Sequence, residues 1–388
     1  MITSIFSPLN AGHPKLLACK LLGLAFALLP LDGMARESSL SFLKRLLDSP
    51  YPSVLLGNSA YADGDLDNAR RHFKQSIEIT FRRIETDPDN PVWQRHLSDG
   101  YNMLGVIASD QAKYSEAEQW HNLNLSIIRK QCASKPGNPD FKINLAKCHY
   151  RIGDVSVLNN KPGNAIPPYS EGLAIFEGLA VTNPGYPGIL DGIGFGKERL
   201  GSLAFAFGRL IECQRLYQEV FLIRKKLHAI DPGNPKTQSD LAAACHLNAE
   251  VAAKLEQWKR ALEYCSQAVV LWHAVAQKDP AAKRPQNQLM KCYVLLGHIT
   301  ALQENPKQAE KSYLMALPII KKIADTSPND PVKQRELLEL YIRLAHISDK
   351  PGNKPNATKY IEMSREQLRS MQGKGITLTQ QELGFLKQ

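Results

Sequence analysis

The chain has 388 residues, with 48 Lys and Arg against 38 Asp and Glu, giving a formal charge of +10. Apolar residues at 43% and charged residues at 22% exclude a disordered tail, a collagen and a disulfide-stapled miniprotein, and a mean hydropathy of -0.29 excludes a polytopic membrane protein. Length alone predicts two or three ordinary domains, and the charge points to an acidic partner such as nucleic acid or anionic lipid.

Residues 1–35 differ in kind from the rest. Lys15 and Lys20 precede an apolar run from Leu21 to Leu31, followed by Gly33-Met34-Ala35. A basic region, a short apolar core and small residues describe a secretory signal peptide cleaved after Ala35. The run falls short of the ~20 residues that cross a bilayer. The expected location is therefore exported, periplasmic or secreted; without cleavage it is cytoplasmic. Residues 36–49 read as a helix that caps the first repeat.

From residue 50 a period governs the chain. Prolines fall at 88, 136, 184, 232, 280 and 328, each step 48 residues. Clusters such as Asp87-Pro88-Asp89-Asn90-Pro91 and Asp231-Pro232-Gly233-Asn234-Pro235 stop one helix and start the next, because Pro lacks a donor and disfavours helix before it. Between them, Leu97, Leu145, Ile193, Leu241, Leu289 and Leu337 share one phase. A small residue recurs at Gly57, Gly105, Gly153, Gly201, Ala249, Gly297 and Ala345. A second recurs at Ala69, Ala117, Ala165, Cys213, Ala261, Ala309 and Ala357, with Phe73, Tyr169, Tyr217 and Tyr313 four residues later. Each unit reads as two antiparallel helices, for instance Asn287 to Glu304 and Lys307 to Thr326. Gly297 and Ala309 lie opposite each other by count from the turn, where small side chains would let two helices approach.

Leu104, Gly105 and Ala117, with an aromatic four residues past the equivalent Ala, resemble the tetratricopeptide repeat (TPR). The usual unit is ~34 residues, and this chain resembles the longer, 48-residue variety of bacterial arrays. The resemblance covers roughly 50–370. It implies an all-α α-solenoid, a right-handed superhelix of antiparallel helix pairs, acting as a protein-interaction scaffold without enzyme activity. The expected organisation is seven helix pairs over 50–375 with one continuous core, then a capping helix over 376–388. Thr379-Gln380-Gln381-Glu382 supplies a capping box for that last helix. Pro167-Pro168 would shorten or kink one second helix, and Gly192, Gly194 and Gly196 weaken one first helix. Together they make 162–200 the softest stretch.

No catalytic signature emerges. Gly192 to Lys197 superficially suggests a phosphate loop, but Asp191 and Glu198 occupy the required Gly and Ser/Thr places. His246, His298 and His346 fall in or near one phase of successive first helices, too far apart to share an ion. No cofactor, metal ligand set or small-molecule substrate is expected. Cys245 and Cys265 stand equidistant from one turn, which suggests a disulfide in an oxidising compartment; two buried thiols are the alternative.

The charge is asymmetric: +9 of the excess lies in 184–388, and 280–327 alone carries +4. Arg224-Lys225-Lys226, Lys321-Lys322 and their like read as solvated outer faces. First helices line the concave side of such arrays. The resemblance therefore makes Asn102, Lys147, Tyr150, Asp154, Glu198, His246, Glu250, His298 and His346 candidate contacts for a protein or peptide partner. The paired Lys and Asn with which some family members grip a terminal carboxylate are replaced by Asn102/Val106 and Tyr150/Asp154. The alternative function is a basic solenoid docking residues 184–388 on an acidic surface: anionic lipid, acidic polymer or nucleic acid.

Overall fold

A computed structural model describes residues 49–88, 90–279, 282–349 and 354–387. The signal-peptide and 36–48 helix expectations lie outside these. The described residues form fifteen α-helices and no strand. They fall into two compact units, one through Pro184 and one from Gly185. The division lies inside the 162–200 stretch.

Unit 1 contains α1 (Tyr51–Ala62), α2 (Leu66–Thr86), α3 (Pro91–Asp110), α4 (Tyr114–Ser134), α5 (Pro139–Leu158) and α6 (Ile166–Thr182). Unit 2 contains α7 (Pro187–Ala206), α8 (Leu210–Ile230), α9 (Pro235–Lys254), α10 (Trp258–Lys278), α11 (Lys283–Leu302) and α12 (Pro306–Thr326). It ends with α13 (Pro331–Ser348), α14 (Lys354–Gly373) and the short α15 (Gln380–Lys387). Within each unit every helix packs on the next in chain order. Odd-numbered helices α1 to α13 are the first members of pairs and even-numbered ones the second.

The Asn-Pro and Asp-Pro clusters start first helices by one device. The side chains of Asn90, Asn138, Asn234 and Asp330 accept from the backbone N–H two residues on, at 2.9–3.0 Å, with Pro at the first helical position. The first turn tolerates Pro because its N–H groups have no helical acceptor. For the same reason α11 begins at Lys283, four residues before the expected Asn287, and carries Pro285 in its first turn. Pro167 and Pro168 have the expected effect: a 3-10 turn (Pro162–Ala165) precedes α6, which has 17 residues against 21 in α4 and α8.

Turns inside the pairs show a periodicity that composition hides. Gly64, Ala112, Asn160, Gly208, Glu256 and Glu304 all have φ between 56° and 78°, one every 48 residues. Each closes its helix as in Ala112, where the Ala112 N–H donates to Ser109 O and the Lys113 N–H to Ala108 O. Only Gly takes this conformation without steric cost, so four of the six turns carry strain.

The small-residue phase has a different reason from the expected close helix approach. A Cβ on Gly153 would lie 2.5 Å from the Tyr169 ring, on Gly201 2.6 Å from Tyr217, and on Gly57 2.9 Å from Phe73. Gly105 and Gly297 stand in the same way against His121 and Tyr313. The first helix thus seats the ring carried four residues after the recurring small residue of its partner. Where the first helix has Ala249, the ring is replaced by Cys265.

Buried apolar residues recur through both units, and in unit 2 one cluster runs from Leu241 to Tyr360 across successive helices. A cluster in unit 1 centres on Phe73, Leu97, Leu104 and Ile107; that of unit 2 includes Trp272, Tyr313, Leu340 and Leu344. At the C-terminal end, Leu338, Leu368, Met371 and Ile376 are closed by Leu378 and Phe385. The capping box is formed there: Thr379 N–H donates to Glu382 at 2.6 Å and Glu382 N–H to Thr379 Oγ1 at 3.2 Å. Arg335 of α13 ties α15 down through Glu382 at 3.0 Å.

Candidate functional site

The first helices of unit 2 build a groove of about 370 Å³. Helix α11 contributes Lys291, Val294, Leu295 and His298, spaced i, i+3, i+4 and i+7 along one face. Helix α13 contributes Glu336, Glu339, Leu340 and Arg343 with the same spacing, and α9 contributes His246 and Glu250. Met290, Ile320 and Leu340, all buried, form an apolar floor. Val294 and Leu295 are half-buried walls, while Lys291, His298 and Glu339 are exposed at the rim.

Its charges are partly paired within the chain. Arg343 donates to Glu339 at 2.5 Å, and Lys333 reaches both oxygens of Glu336 at 3.1 Å. Glu339 and Tyr313 hold the Arg343 guanidinium charged against the cost of its burial. His246 is buried and bridges two groups: its Nε2 lies 3.4 Å from Glu250 Oε1 and its Nδ1 3.4 Å from Cys292 Sγ. Burial pushes Glu250 up, but its His246 bond and the charges of His246, Lys291 and Lys254 bring it below the usual carboxylate range. His298 is shifted down by burial and then by Arg343 and Lys254, which favours its neutral form.

Cys292, His246 and Glu250 have the connectivity of a nucleophile, base and acid. The thiol, however, is fully buried. Burial, with Cys265 and Glu250 adding, pushes its ionisation far above the ordinary range. A reactive thiolate needs the opposite environment. Among the described residues no three His, Cys, Asp or Glu side chains are arranged to hold a metal ion.

The structure brings His246, Glu250 and His298 together in the groove; the other candidates do not line it. His346 is exposed on α13 but does not line the groove. In unit 1, Asn102 is half-buried on α3 and Lys147 exposed on α5. Tyr150 is not an exposed contact. It is buried, stacked on Phe176 with ring centroids 5.8 Å apart, over a space that Gly172 leaves open. Asp154 accepts from Tyr169 Oη at 2.7 Å and so orients a core ring.

Glu198 borders a charge cluster built round one buried cation, Arg224. Arg224, expected on the outer face, is buried in unit 2 and paired with Asp191, with Asp240 at 3.8 Å. Lys236 bridges both aspartates at 3.4 and 2.8 Å. Residues 128, 176, 272 and 320, at the same phase, are buried Ile, Phe, Trp and Ile. Gly194 makes room: a Cβ there would stand 3.2 Å from Arg224 Cζ. Burial raises Glu198 above the usual carboxylate range, with Asp240 and Asp191 adding, against the pull of Arg224 and Arg199.

The expected Cys245–Cys265 disulfide is not formed; the six described cysteines are free. Cys265 Sγ turns to Cys292 O at 3.3 Å, and Cys245 Sγ lies 4.0 Å from Gln267. These thiols replace a pair of tyrosines and are directed at different neighbours.

Sequence reasoning misses Lys291, Met290, Leu295, Glu336, Glu339, Leu340 and Arg343. The i, i+3, i+4, i+7 stripe on α13 is the available signal, since it mixes charges with an apolar residue on one face.

No protein-family model matches the chain, and no curated protein matches it. Solved structures do. A signal transduction ATPase with a tetratricopeptide repeat sensor, from Pyrococcus horikoshii, matches with a TM-score of 0.59 at 14% identity, over 86% of this chain and 44% of that one. The apo form of RapI matches with a TM-score of 0.53 at 13% identity, over 84% and 99%. The apo form of the quorum sensor NprR from B. thuringiensis matches with a TM-score of 0.52 at 15% identity, over 90% and 86%. The chain has the tetratricopeptide-repeat fold, an all-α solenoid.

Proposed function

We propose that this protein is a non-catalytic scaffold that binds a segment of a partner protein in the groove of unit 2. The observation that carries the reading is an apolar floor rimmed by charges on three successive first helices. An extended segment laid across such helices gains affinity from many small contacts. Of the similar structures, one is described as a quorum sensor and another as a signal transduction ATPase with a tetratricopeptide repeat sensor, which supports a recognition role for this fold. Export, resting on residues 1–35, belongs to the same proposal; a native N-terminus at Arg36 supports it, and a retained 1–35 removes it.

The test is selection of peptides on the full chain, followed by titration against Val294→Asp. Val294 is half-buried at the groove wall, so a carboxylate there spoils the apolar surface without entering the core. Peptides that lose affinity support the groove. Peptides indifferent to it place binding elsewhere. If binding instead collapses with salt and is indifferent to Val294→Asp, docking on an acidic surface is the better account.

A further inference from the structure

A second groove of unit 2, of about 770 Å³, lies between second helices and shares no lining residue with the first. On α8, Gln218, Phe221 and Lys225 follow one another at i, i+3 and i+7, which puts them on one face. On α10, Arg260, Glu263, Tyr264 and Gln267 repeat that spacing, with Trp258 and Lys259 in the first turn. Charge here is one-sided: Lys225, Lys259 and Arg260 line the groove against one carboxylate, Glu263. Lys225 and Lys259 are exposed, and among the described residues none of the three cations has a carboxylate within 4 Å.

Arg260 is held in place without being neutralised. Its Nη2 donates to Gln218 Oε1 at 2.8 Å, and its guanidinium lies over the Tyr264 ring, 5.8 Å from the centroid. Tyr264 Oη donates to the same Gln218 oxygen at 2.6 Å, and the Tyr264 and Phe221 rings meet edge to face with centroids 5.3 Å apart. A guanidinium fixed by neutral partners has already lost much of its rotamer freedom, and it keeps N–H groups for a carboxylate. The features also choose among anions. A nucleic-acid strand binds through bases stacked on open aromatic faces. Here Arg260 covers the Tyr264 ring, and Phe221 and Trp258 pack half-buried against apolar clusters. A lipid surface is a plane, whereas these cations line a concavity between two helices.

We propose that this second groove docks an acidic segment of a partner protein, with one carboxylate on Arg260 and others on Lys225 and Lys259. The +9 excess of residues 184–388 draws such a segment toward unit 2 at long range. Arg260 then fixes its register, since a guanidinium can hold a carboxylate through two parallel hydrogen bonds. The site is independent of the groove built by α9, α11 and α13.

The experiment titrates a fluorescein-labelled decaglutamate peptide, an oligothymidine strand and vesicles of phosphatidylcholine with phosphatidylglycerol against the full chain at low salt. Arg260→Gln should weaken the peptide roughly tenfold, and Lys225→Gln and Lys259→Gln roughly threefold each. Lys225 and Lys259 are exposed, so their variants carry the test even where Arg260→Gln disturbs folding. Lys321→Gln removes the same charge from an exposed place on α12 outside the groove, and should change affinity by less than about twofold. Equal losses from Arg260→Gln and Lys321→Gln would reduce binding to diffuse net charge and overturn the proposal, as would a peptide that does not bind. Loss with Val294→Asp but not with Arg260→Gln would move the peptide to the first groove and also overturn it. Oligothymidine or vesicles held more tightly than the peptide, with the same dependence on Arg260, would overturn the occupant in favour of nucleic acid or lipid. None of these failures touches the reading of the first groove.

Discussion

Tyr217 lies with its ring edge where a side chain on Gly201 would be: a Cβ there would stand 2.6 Å from Tyr217 Cε1. The ring is 3% exposed, so it has no solvent to move into. Gly201→Ala should therefore destabilise the protein by about 1–3 kcal/mol, although Ala is the better helix former. Ala249 with Cys265 shows the chain's own alternative. Gly201→Ala combined with Tyr217→Cys should cost less than the two single changes added together, read from denaturant midpoints in a double-mutant cycle. Simple additivity would remove the pairing.

The strained turns make the opposite prediction. Glu304 and Ala112 have φ of 57° and 56°. Glu304→Gly and Ala112→Gly should each stabilise by about 1 kcal/mol, since left-handed backbone costs an L-residue roughly 1–2 kcal/mol and glycine returns part of that as unfolded-state entropy. Thermal midpoints that fall instead would show the side chains to be holding the turns.

His121 fills the ring position of the α3–α4 pair, is 2% exposed, and has Nδ1 buried without a hydrogen-bond partner in the structure. Burial, then Arg151, lowers its pKa to about 4. The unfolded chain, with an ordinary histidine near pH 6.5, binds more protons between these values. Stability should therefore fall as pH drops from about 6.5 to 4, by roughly 3 kcal/mol, and level off below. His121→Phe should abolish that slope. Phe is the apt replacement because Val106 stands where Asp154 accepts from Tyr169 Oη in the next repeat, leaving no partner for a tyrosine hydroxyl. An unchanged slope in stability against pH would assign the acid sensitivity elsewhere.

Arg224 sets up an asymmetry. Arg224→Leu restores the apolar residue found at 128, 176, 272 and 320 and releases Asp191 and Asp240, whose side chains are 42% and 25% exposed. Stability should stay level or rise. Asp191→Ala leaves the guanidinium buried with weaker compensation and should cost about 3 kcal/mol. Equal losses from both would mean the ion pair itself stabilises the fold.

The helix pairs are legible in the sequence because two periods coincide there, 48 residues for the unit and the helical spacing within it. The prolines mark helix starts through Asn and Asp caps that sequence displays directly. What sequence hides is which residues face each other across a pair. Counting from the turn matches Gly297 to Ala309, whereas the ring of Tyr313 occupies its space. Tyr150 and Arg224 defeat the reading for a related reason: polar character suggests exposure, but Gly172 and Gly194 open interior room for them. The left-handed turns escape notice because only Gly64 and Gly208 advertise the conformation. The groove is half legible, its histidines and Glu250 by phase, its α13 wall only through the mixed stripe Glu336, Glu339, Leu340 and Arg343.

The most direct measurement is the affinity of groove-selected peptides for the wild-type chain and for Val294→Asp, with circular dichroism confirming equal helicity. The account predicts a loss of at least about tenfold, the worth of roughly 1.4 kcal/mol of apolar contact. Equal affinity for the two proteins would contradict it.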